Sequence, residues 1–212
     1  LLALAALATV SGVAVAQSNV TVYGILDTSY TSVNHTTAAN GRTTGINTAN
    51  WMPSVLGFTG TEDLGGGLKA NFQLEADINT DTGANASSST LFRRISTVGL
   101  SSNNYGTVKL GKHIDMLFLQ SFINNVRPAH SGSLAVVGGV NYGLTGANSN
   151  SDAEIFMSNG VQYQSPAFSG LSFKYQHTFG EVAGDTSKAS GSAYGVNYDG
   201  IQNLNLSAVY KE

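Results

Sequence analysis

The stretch of the sequence most suggestive of chemistry is the pair of adjacent acids Glu62 and Asp63, which stands shortly before three glycines at 65–67. Paired carboxylates can act in acid–base catalysis, and a glycine-rich loop can bind phosphate. A phosphate-binding loop needs Gly-Lys-Ser/Thr at the start of a helix, whereas these glycines lead into the alternating segment LKANFQLEADIN, residues 68–79. The pattern therefore favours a tight turn with solvated carboxylates.

The other residue types that carry chemistry show no catalytic or metal-binding spacing. Cysteine is absent from the sequence, which excludes thiolate ligands and disulfides. The four histidines (His35, His113, His130 and His177) are far apart, and metal sites need converging ligands. No Ser-His-Asp set or carboxylate pair stands in a recognisable catalytic context. The sequence thus predicts no enzyme, no cofactor and no metal site.

The charge content argues against a nucleic-acid partner. Charged residues make up 11% of the 212 residues, against roughly 25% in an ordinary soluble domain, and the net charge is −3. The basic residues are scattered from Arg42 to Lys211, and only Arg93 and Arg94 are adjacent, whereas nucleic-acid binding needs clustered positive charge. Low charge with many Gly, Ser, Thr and Asn residues suits sheets joined by polar turns.

The charged side chains stand on segments that have two unlike faces. Successive side chains of a strand point to opposite sides, and in residues 68–79 every second side chain is apolar. The polar side of this segment consists of Lys69, Asn71, Gln73, Glu75 and Asp77. In the segment VTVYGILD, Tyr23 and Asp27 fall on the polar side in the same way. Strand-like segments are predicted at 19–30, 50–60, 68–79, 91–101, 106–112, 158–164, 170–180, 191–199 and 203–211.

The lengths of the connections decide which face meets water. Long connections alternate with short ones along the chain. The long ones are 31–49, 80–90, 113–157 and 181–190, and the short ones are 61–67, 102–105, 165–169 and 200–203. External loops and periplasmic turns of a membrane β-barrel alternate in this way, and the aromatic residues near strand ends fit interfacial girdles. The sequence predicts an all-β fold, a transmembrane antiparallel β-barrel with its apolar face toward lipid.

The N-terminal residues indicate export. Residues 1–16, LLALAALATVSGVAVA, are uncharged and apolar and end in small residues, which is typical of a secretory signal peptide. The run is short of the roughly 20 residues that a membrane-spanning helix needs. We expect residues 1–16 to be a partial signal peptide and the mature chain to begin at Gln17, in a bacterial envelope.

Four blocks of the chain resemble one known family. They are SNVTVYGILD, SVLGFTGTEDLGGGLKANFQLE, LFRRISTVGLSSNNYGTVKLGKHIDML and SNGVQYQSPAFSGLSFKYQHTFGE. In these blocks the sequence resembles the trimeric general porins of Gram-negative bacteria, in the branch common among β-proteobacteria. The resemblance implies an outer-membrane homotrimer, with one water-filled pore per subunit for passive diffusion of ions and small hydrophilic solutes.

The resemblance also implies an organisation for the chain. The family barrel has sixteen strands, so about nine strands in residues 17–212 are expected to form its N-terminal part, and the chain is expected to be a fragment at both ends. Residues 113–157 occupy the place of the third loop, which in the family folds into the pore and constricts it. The partners implied are two further copies of the chain, outer-membrane lipid and the permeating solutes.

Candidate pore-lining residues follow from the resemblance and from the polar faces. By resemblance, Arg94 and Lys112 take positions of family basic residues at the constriction, and Asp115 is an early acid of the inserted loop. The polar strand faces add Lys69, Glu75, Asp77, Tyr23 and Asp27.

Strict alternation lets only one of Arg93 and Arg94 face the lumen unless a bulge intervenes, so Arg93 is expected to face outward if Arg94 faces inward. Val55 and Phe156 stand at or near positions where the family often has arginine. We therefore expect weak ion selectivity.

Two other functions fit parts of the pattern. A small closed outer-membrane barrel could serve as an adhesin or a structural anchor, and it would conduct no ions. A secreted β-sandwich that binds sugars would have the same alternation with its apolar face inside, and it would stay in solution without detergent.

Overall fold

The computed structural model describes residues 19–34, 41–50, 52–123 and 155–212. The predicted signal segment 1–16 and residues 124–154 of the predicted third loop lie outside the described residues. The strands are β1 (Asn19–Ile25), β2 (Thr28–Asn34), β3 (Arg42–Thr48), β4 (Val55–Gly65), β5 (Leu68–Asp77), β6 (Ile95–Ser102), β7 (Gly106–Ile114), β8 (Phe156–Gln164), β9 (Leu171–Thr178), β10 (Gly191–Ile201) and β11 (Leu204–Lys211). A helix, α1 (Met116–Ile123), follows β7.

Nine of the strands form one antiparallel sheet in the order β1-β4-β5-β6-β7-β8-β9-β10-β11, and β2 and β3 pair as a separate hairpin. Neighbours in the large sheet are neighbours in the chain, apart from the step from β1 to β4. In the part of the chain that the structure describes, β1 and β11 form the two edges and do not pair with each other, so the sheet is open. The predicted all-β, antiparallel architecture is confirmed.

The register of the strands sorts side chains onto two continuous faces. Gln73 of β5 lies between Thr59 of β4 and Thr97 of β6. The same alternation continues across all nine strands. We call one side the polar face; it carries Tyr23, Gln73, Glu75, Asp77, Thr97, Lys109, Gln162, Lys174 and Gln176. The apolar face carries Val22, Phe58, Leu74, Val98, Leu110, Val161, Phe173, Val196 and Leu206.

The exposure of the two faces is inverted relative to a soluble sheet. Val98 of the apolar face is 60% exposed, whereas its chain neighbour Thr97 on the polar face is only 6% exposed. Many large apolar side chains on the same side are exposed in this way. An apolar surface of this extent is unfavourable in water at about 25 cal/mol per Å². The apolar face therefore needs a lipid environment, as the connection lengths predicted.

The first hairpin differs from the prediction. Residues 31–49 were expected to be a long loop, but β2 extends to Asn34 and β3 pairs with it from Arg42 to Thr48. The two segments contain several Thr residues together with Tyr, Val and Ile, and these residue types suit strands. The expected strand 50–60 is correspondingly shifted, because β4 begins only at Val55.

Two other strands also begin or end at residues different from those predicted. The expected turn 61–67 shortens to Gly66 and Gly67, because Glu62 and Asp63 continue β4 and pair with Ala70 and Lys69. The strand expected from residue 91 begins at Ile95. No helix in the described ranges has both the length and the apolar character needed to cross a membrane.

A substitution on each face tests the orientation of the sheet. Val98→Arg places a charge on the apolar face, and we expect it to lower the free energy of unfolding of the complete protein in lipid vesicles by about 2–4 kcal/mol. Thr107→Arg, on the polar face of β7, should cost no more than about 0.5 kcal/mol. Urea unfolding followed by tryptophan fluorescence measures both, and equal losses would contradict the orientation.

Candidate functional site

Two carboxylates at the end of β5 form the centre of the candidate site. Glu75 and Asp77 are two residues apart in an extended strand, so both point to the polar face, and both are buried. The Tyr23 hydroxyl donates to Glu75 Oε1 at 2.6 Å. Gln73 Nε2 donates to the Tyr23 hydroxyl oxygen at 2.7 Å and to Glu75 Oε1 at 3.2 Å. These bonds hold the Glu75 carboxylate against the wall of the sheet.

A glycine makes room for the Tyr23 contact. Gly57 of β4 lies between Tyr23 and Glu75 in the register. A Cβ at Gly57 would lie 2.4 Å from Cζ of the Tyr23 ring, so any larger residue would push the ring away. The small residue on the middle strand lets Tyr23 reach across β4 to Glu75.

Two adjacent arginines bind this pair of acids. Arg94 Nε lies 3.2 Å from Glu75 Oε2, and its Nη1 lies 3.1 Å from Asp77 Oδ1. Arg93 Nε lies 2.5 Å from Asp77 Oδ2. The expectation that Arg93 faces outward is therefore wrong. Both residues precede the start of β6 at Ile95, so strand alternation does not apply to them.

The four side chains make a compact, charge-balanced group, which we call the Arg–acid cluster (Glu75, Asp77, Arg93 and Arg94). Two guanidinium groups face two carboxylates, so the formal charges cancel. The Arg94 guanidinium also lies 5.1 Å from the centroid of the Phe156 ring, a favourable cation–π distance. Although it stands on the polar face, the cluster therefore contributes little net charge there.

A second charge pair fixes helix α1 on the polar face. Asp115 directly precedes α1, and its Oδ1 accepts a hydrogen bond from the Phe118 N–H at 2.9 Å, which is an N-cap contact. Its Oδ2 lies 2.9 Å from Lys211 Nζ on β11; the Asp115 side chain is buried, and that of Lys211 is 12% exposed. We call this pair the Asp115–Lys211 latch.

Two further residues support the helix from the sheet below it. Gln176 of β9 accepts a hydrogen bond from the Met116 N–H at 3.0 Å and donates one to the Ile114 carbonyl at 3.4 Å. A Cβ at Gly195 of β10 would lie 2.7 Å from Met116 Sδ, so glycine allows the helix to approach closely. The sequence prediction missed Lys211, Gln176 and Gly195. In the sequence these residues could be recognised only as members of polar strand faces. Their distance from Asp115 along the chain gave no reason to connect them with it.

The predicted site residues that lie apart from these groups are Lys112, Lys69 and Asp27. Lys112 is paired with Ser96, on the side of the sheet that carries Leu110, and its Nζ donates to Ser158 Oγ at 2.8 Å. Lys69 is exposed at the turn end of β5, opposite Asp63 in the register. The structure thus brings Tyr23, Glu75, Asp77 and Arg94 together and joins Asp115 to a second group.

Asp27 has a local bonding role. Its Oδ2 accepts the Met52 N–H at 2.7 Å, and its main-chain N–H donates to Ser54 Oγ at 2.8 Å. Its carbonyl oxygen accepts from the Thr80 hydroxyl at 3.2 Å. Asp27 therefore ties the bend between β1 and β2 to two neighbouring segments. Within the described ranges, no three His, Asp or Glu side chains converge as metal ligands would.

A cavity separates the Arg–acid cluster from the helix. Its volume is about 400 Å³, and its lining includes Arg93, Arg94, Phe118, Leu119 and Phe156. The polar face thus carries the Arg–acid cluster on one side of this cavity and helix α1 on the other.

Comparison with known proteins identifies the family. The family model described as Gram-negative porin matches residues 3–212. The outer membrane porin protein 32 of Delftia acidovorans is 39% identical over 181 residues, which are 85% of this chain and 49% of that protein. An outer membrane porin protein of Bordetella pertussis is 33% identical, over 84% of this chain and 47% of that protein. The chain spans about half the length of the curated relatives that it matches.

A solved structure shows the same architecture. The anion-selective porin from Comamonas acidovorans superposes with a TM-score of 0.71 at 30% identity, covering 92% of this chain and 57% of that one. The relatives are named as outer-membrane proteins, which confirms the predicted location. The family model matches almost the whole sequence, and the sheet has one polar face and one exposed apolar face. The chain belongs to the Gram-negative porin family.

Proposed function

We propose that the complete protein forms a water-filled channel in the outer membrane, through which ions and small hydrophilic solutes diffuse passively. The observation that carries this proposal is the polar face, which runs across nine strands and holds α1 against it. A hydrated passage lowers the barrier that hydrocarbon presents to polar solutes, because the solute keeps its water. The protein would then be a channel and not an enzyme, with no cofactor and no energy source.

We further propose that residues 113–157 form the loop that narrows the pore. The Asp115–Lys211 latch and the Gln176 contacts support this, because they direct the chain after β7 onto the polar face. The Arg–acid cluster faces the same space across the cavity that Phe118 and Leu119 also line. A passage bounded by charges and a low-dielectric wall concentrates their field, so side chains here affect permeation most.

The proposal for the whole protein is a homotrimer of sixteen-stranded barrels, with residues 17–212 as the N-terminal part and 1–16 as the partial signal peptide. In a bilayer the edge strands β1 and β11 need hydrogen-bond partners, which supports closure by additional strands. Lipid would cover the apolar face, apart from any area buried between subunits.

The charge balance of the cluster supports only a mild selectivity between small anions and cations. Each acid of the cluster binds at least one arginine, and Val55 and Phe156 add no charge. Neutral pairs produce a field that falls off faster with distance than that of a single charge.

Reconstitution of the complete protein in planar bilayers tests the channel itself. We expect stepwise, ohmic conductance increments without any added energy source, and swelling of liposomes in isotonic sugar solutions. A folded protein that inserts but never conducts would overturn the proposal and favour the adhesin or anchor.

Substitution of each arginine tests the cluster. Arg94 bridges both acids and has an 18% exposed side chain, whereas Arg93 contacts one acid and is 46% exposed. Arg94→Gln should therefore lower the free energy of unfolding by about 3 kcal/mol, since it leaves the buried Glu75 carboxylate without a cation and Asp77 with Arg93 alone. The matched Arg93→Gln should cost less than about 1 kcal/mol. Urea titration in detergent micelles measures both; a larger loss for Arg93→Gln would contradict the assignment.

Substitution of Lys211 tests the latch. Lys211→Met leaves Asp115 without its cation, which should weaken docking of α1 by about 3 kcal/mol. We expect a larger and noisier single-channel conductance, because the loop no longer stays against the wall. Lys188→Met, at an exposed lysine of the β9–β10 connection, is the control and should conduct normally. Unchanged conductance in Lys211→Met would show that the latch does not hold the pore narrow.

A further inference from the structure

Two lysines of the polar face, Lys109 and Lys174, belong neither to the Arg–acid cluster nor to the Asp115–Lys211 latch. Lys109 of β7 lies between Gly99 and Gln162 in the register. Lys174 of β9 lies between Gln164 and Gly195. Each lysine thus has a glycine on one neighbouring strand and a glutamine on the other. The cross-strand positions leave space for a long side chain and provide no carboxylate.

The other cations of the polar face have carboxylates as partners or cross-strand neighbours. Arg93, Arg94 and Lys211 each bind a carboxylate, and Lys69, at the turn end of β5, lies opposite Asp63 in the register. No ion pair joins Lys109 or Lys174 to an acid in the part of the chain that the structure describes. Both side chains are partly exposed on the polar face. Their positive charges are therefore not cancelled by a local contact.

Both lysines lie beside helix α1. Leu119 of α1 lines a cavity of about 120 Å³ together with Lys109, His113 and Gln162. The same Leu119 lines a second cavity, of about 190 Å³, together with Lys174. Gly195 connects the two: a Cβ added there would lie 2.7 Å from Met116 Sδ of α1 and 3.6 Å from Lys174 Cβ. Lys174 and Met116 are therefore both close to Gly195. Both lysines thus lie near the helix that is proposed to narrow the pore.

We propose that Lys109 and Lys174, and not the Arg–acid cluster, determine the ion selectivity of this channel and give it a mild preference for small anions. The inference rests on the proposed channel function. The cluster and the latch are each formally neutral, so the two lysines supply two uncompensated positive charges beside the narrow passage. Fixed charge at a constriction raises the local concentration of the opposite ion.

Neutralising both lysines tests this. In the complete protein in planar bilayers, Lys109→Gln/Lys174→Gln should lower the anion-to-cation permeability ratio about threefold near 0.1 M KCl, and less at 1 M, where the Debye length falls to about 3 Å. Reversal potentials across a KCl gradient give the ratio. Lys112→Gln is the matched control, because it removes the same charge from the same strand on the opposite side of the sheet, and it should leave the ratio unchanged.

Other variants keep the inference testable if the double variant folds poorly. Lys109→Arg/Lys174→Arg should retain the wild-type ratio, and each single Gln variant should give part of the shift. An unchanged ratio in channels of normal conductance, or an equal shift in Lys112→Gln, would overturn the inference while leaving the channel function intact. A wild-type protein that forms no channel would instead overturn the proposed function, and this inference with it.

Discussion

Inter-strand hydrogen bonds pair the neighbouring strands of the large sheet from β1 to β11, and the direction of each side chain depends on the register of that pairing. A slip of one residue in any strand would move its whole polar set to the other face. The register places Tyr23, Gly57 and Glu75 in one row across three strands, so that the tyrosine ring fits over the glycine. The polar face, its charge groups and the site for α1 all follow from this pairing.

Charge on the polar face is arranged in two different ways. Where side chains are buried, as at Asp77 and Asp115, each acid has a cation within hydrogen-bonding distance, since an unpaired buried charge is strongly unfavourable. Where space remains beside α1, Lys109 and Lys174 stand next to glycine and glutamine instead. The buried ion pairs are thus formally neutral. The lysines at the open positions keep charges that no ion pair within the described residues cancels.

The architecture could be predicted from local patterns. The period of two in residues 68–79 and the alternation of long and short connections indicated an inverted barrel sheet. It was harder to predict which face of the sheet each charged residue occupies. Family position suggested Lys112, yet strand phase puts Lys109 on the polar face, and only cross-strand pairing reveals that phase. Arg93 lies before β6, where alternation does not hold. The partners of Asp115 lie on strands far along the chain, so no local pattern contains them.

The Asp115–Lys211 latch joins residues 96 positions apart. Closing so long a segment is entropically costly, and such contacts form after the local hairpins that bring their ends together. Lys211 reaches its place only when β11 has joined β10, and the support at Gln176 requires β9. We therefore expect helix α1 to dock only after these strands have paired, so that the polar face is uncovered during the earlier steps of folding.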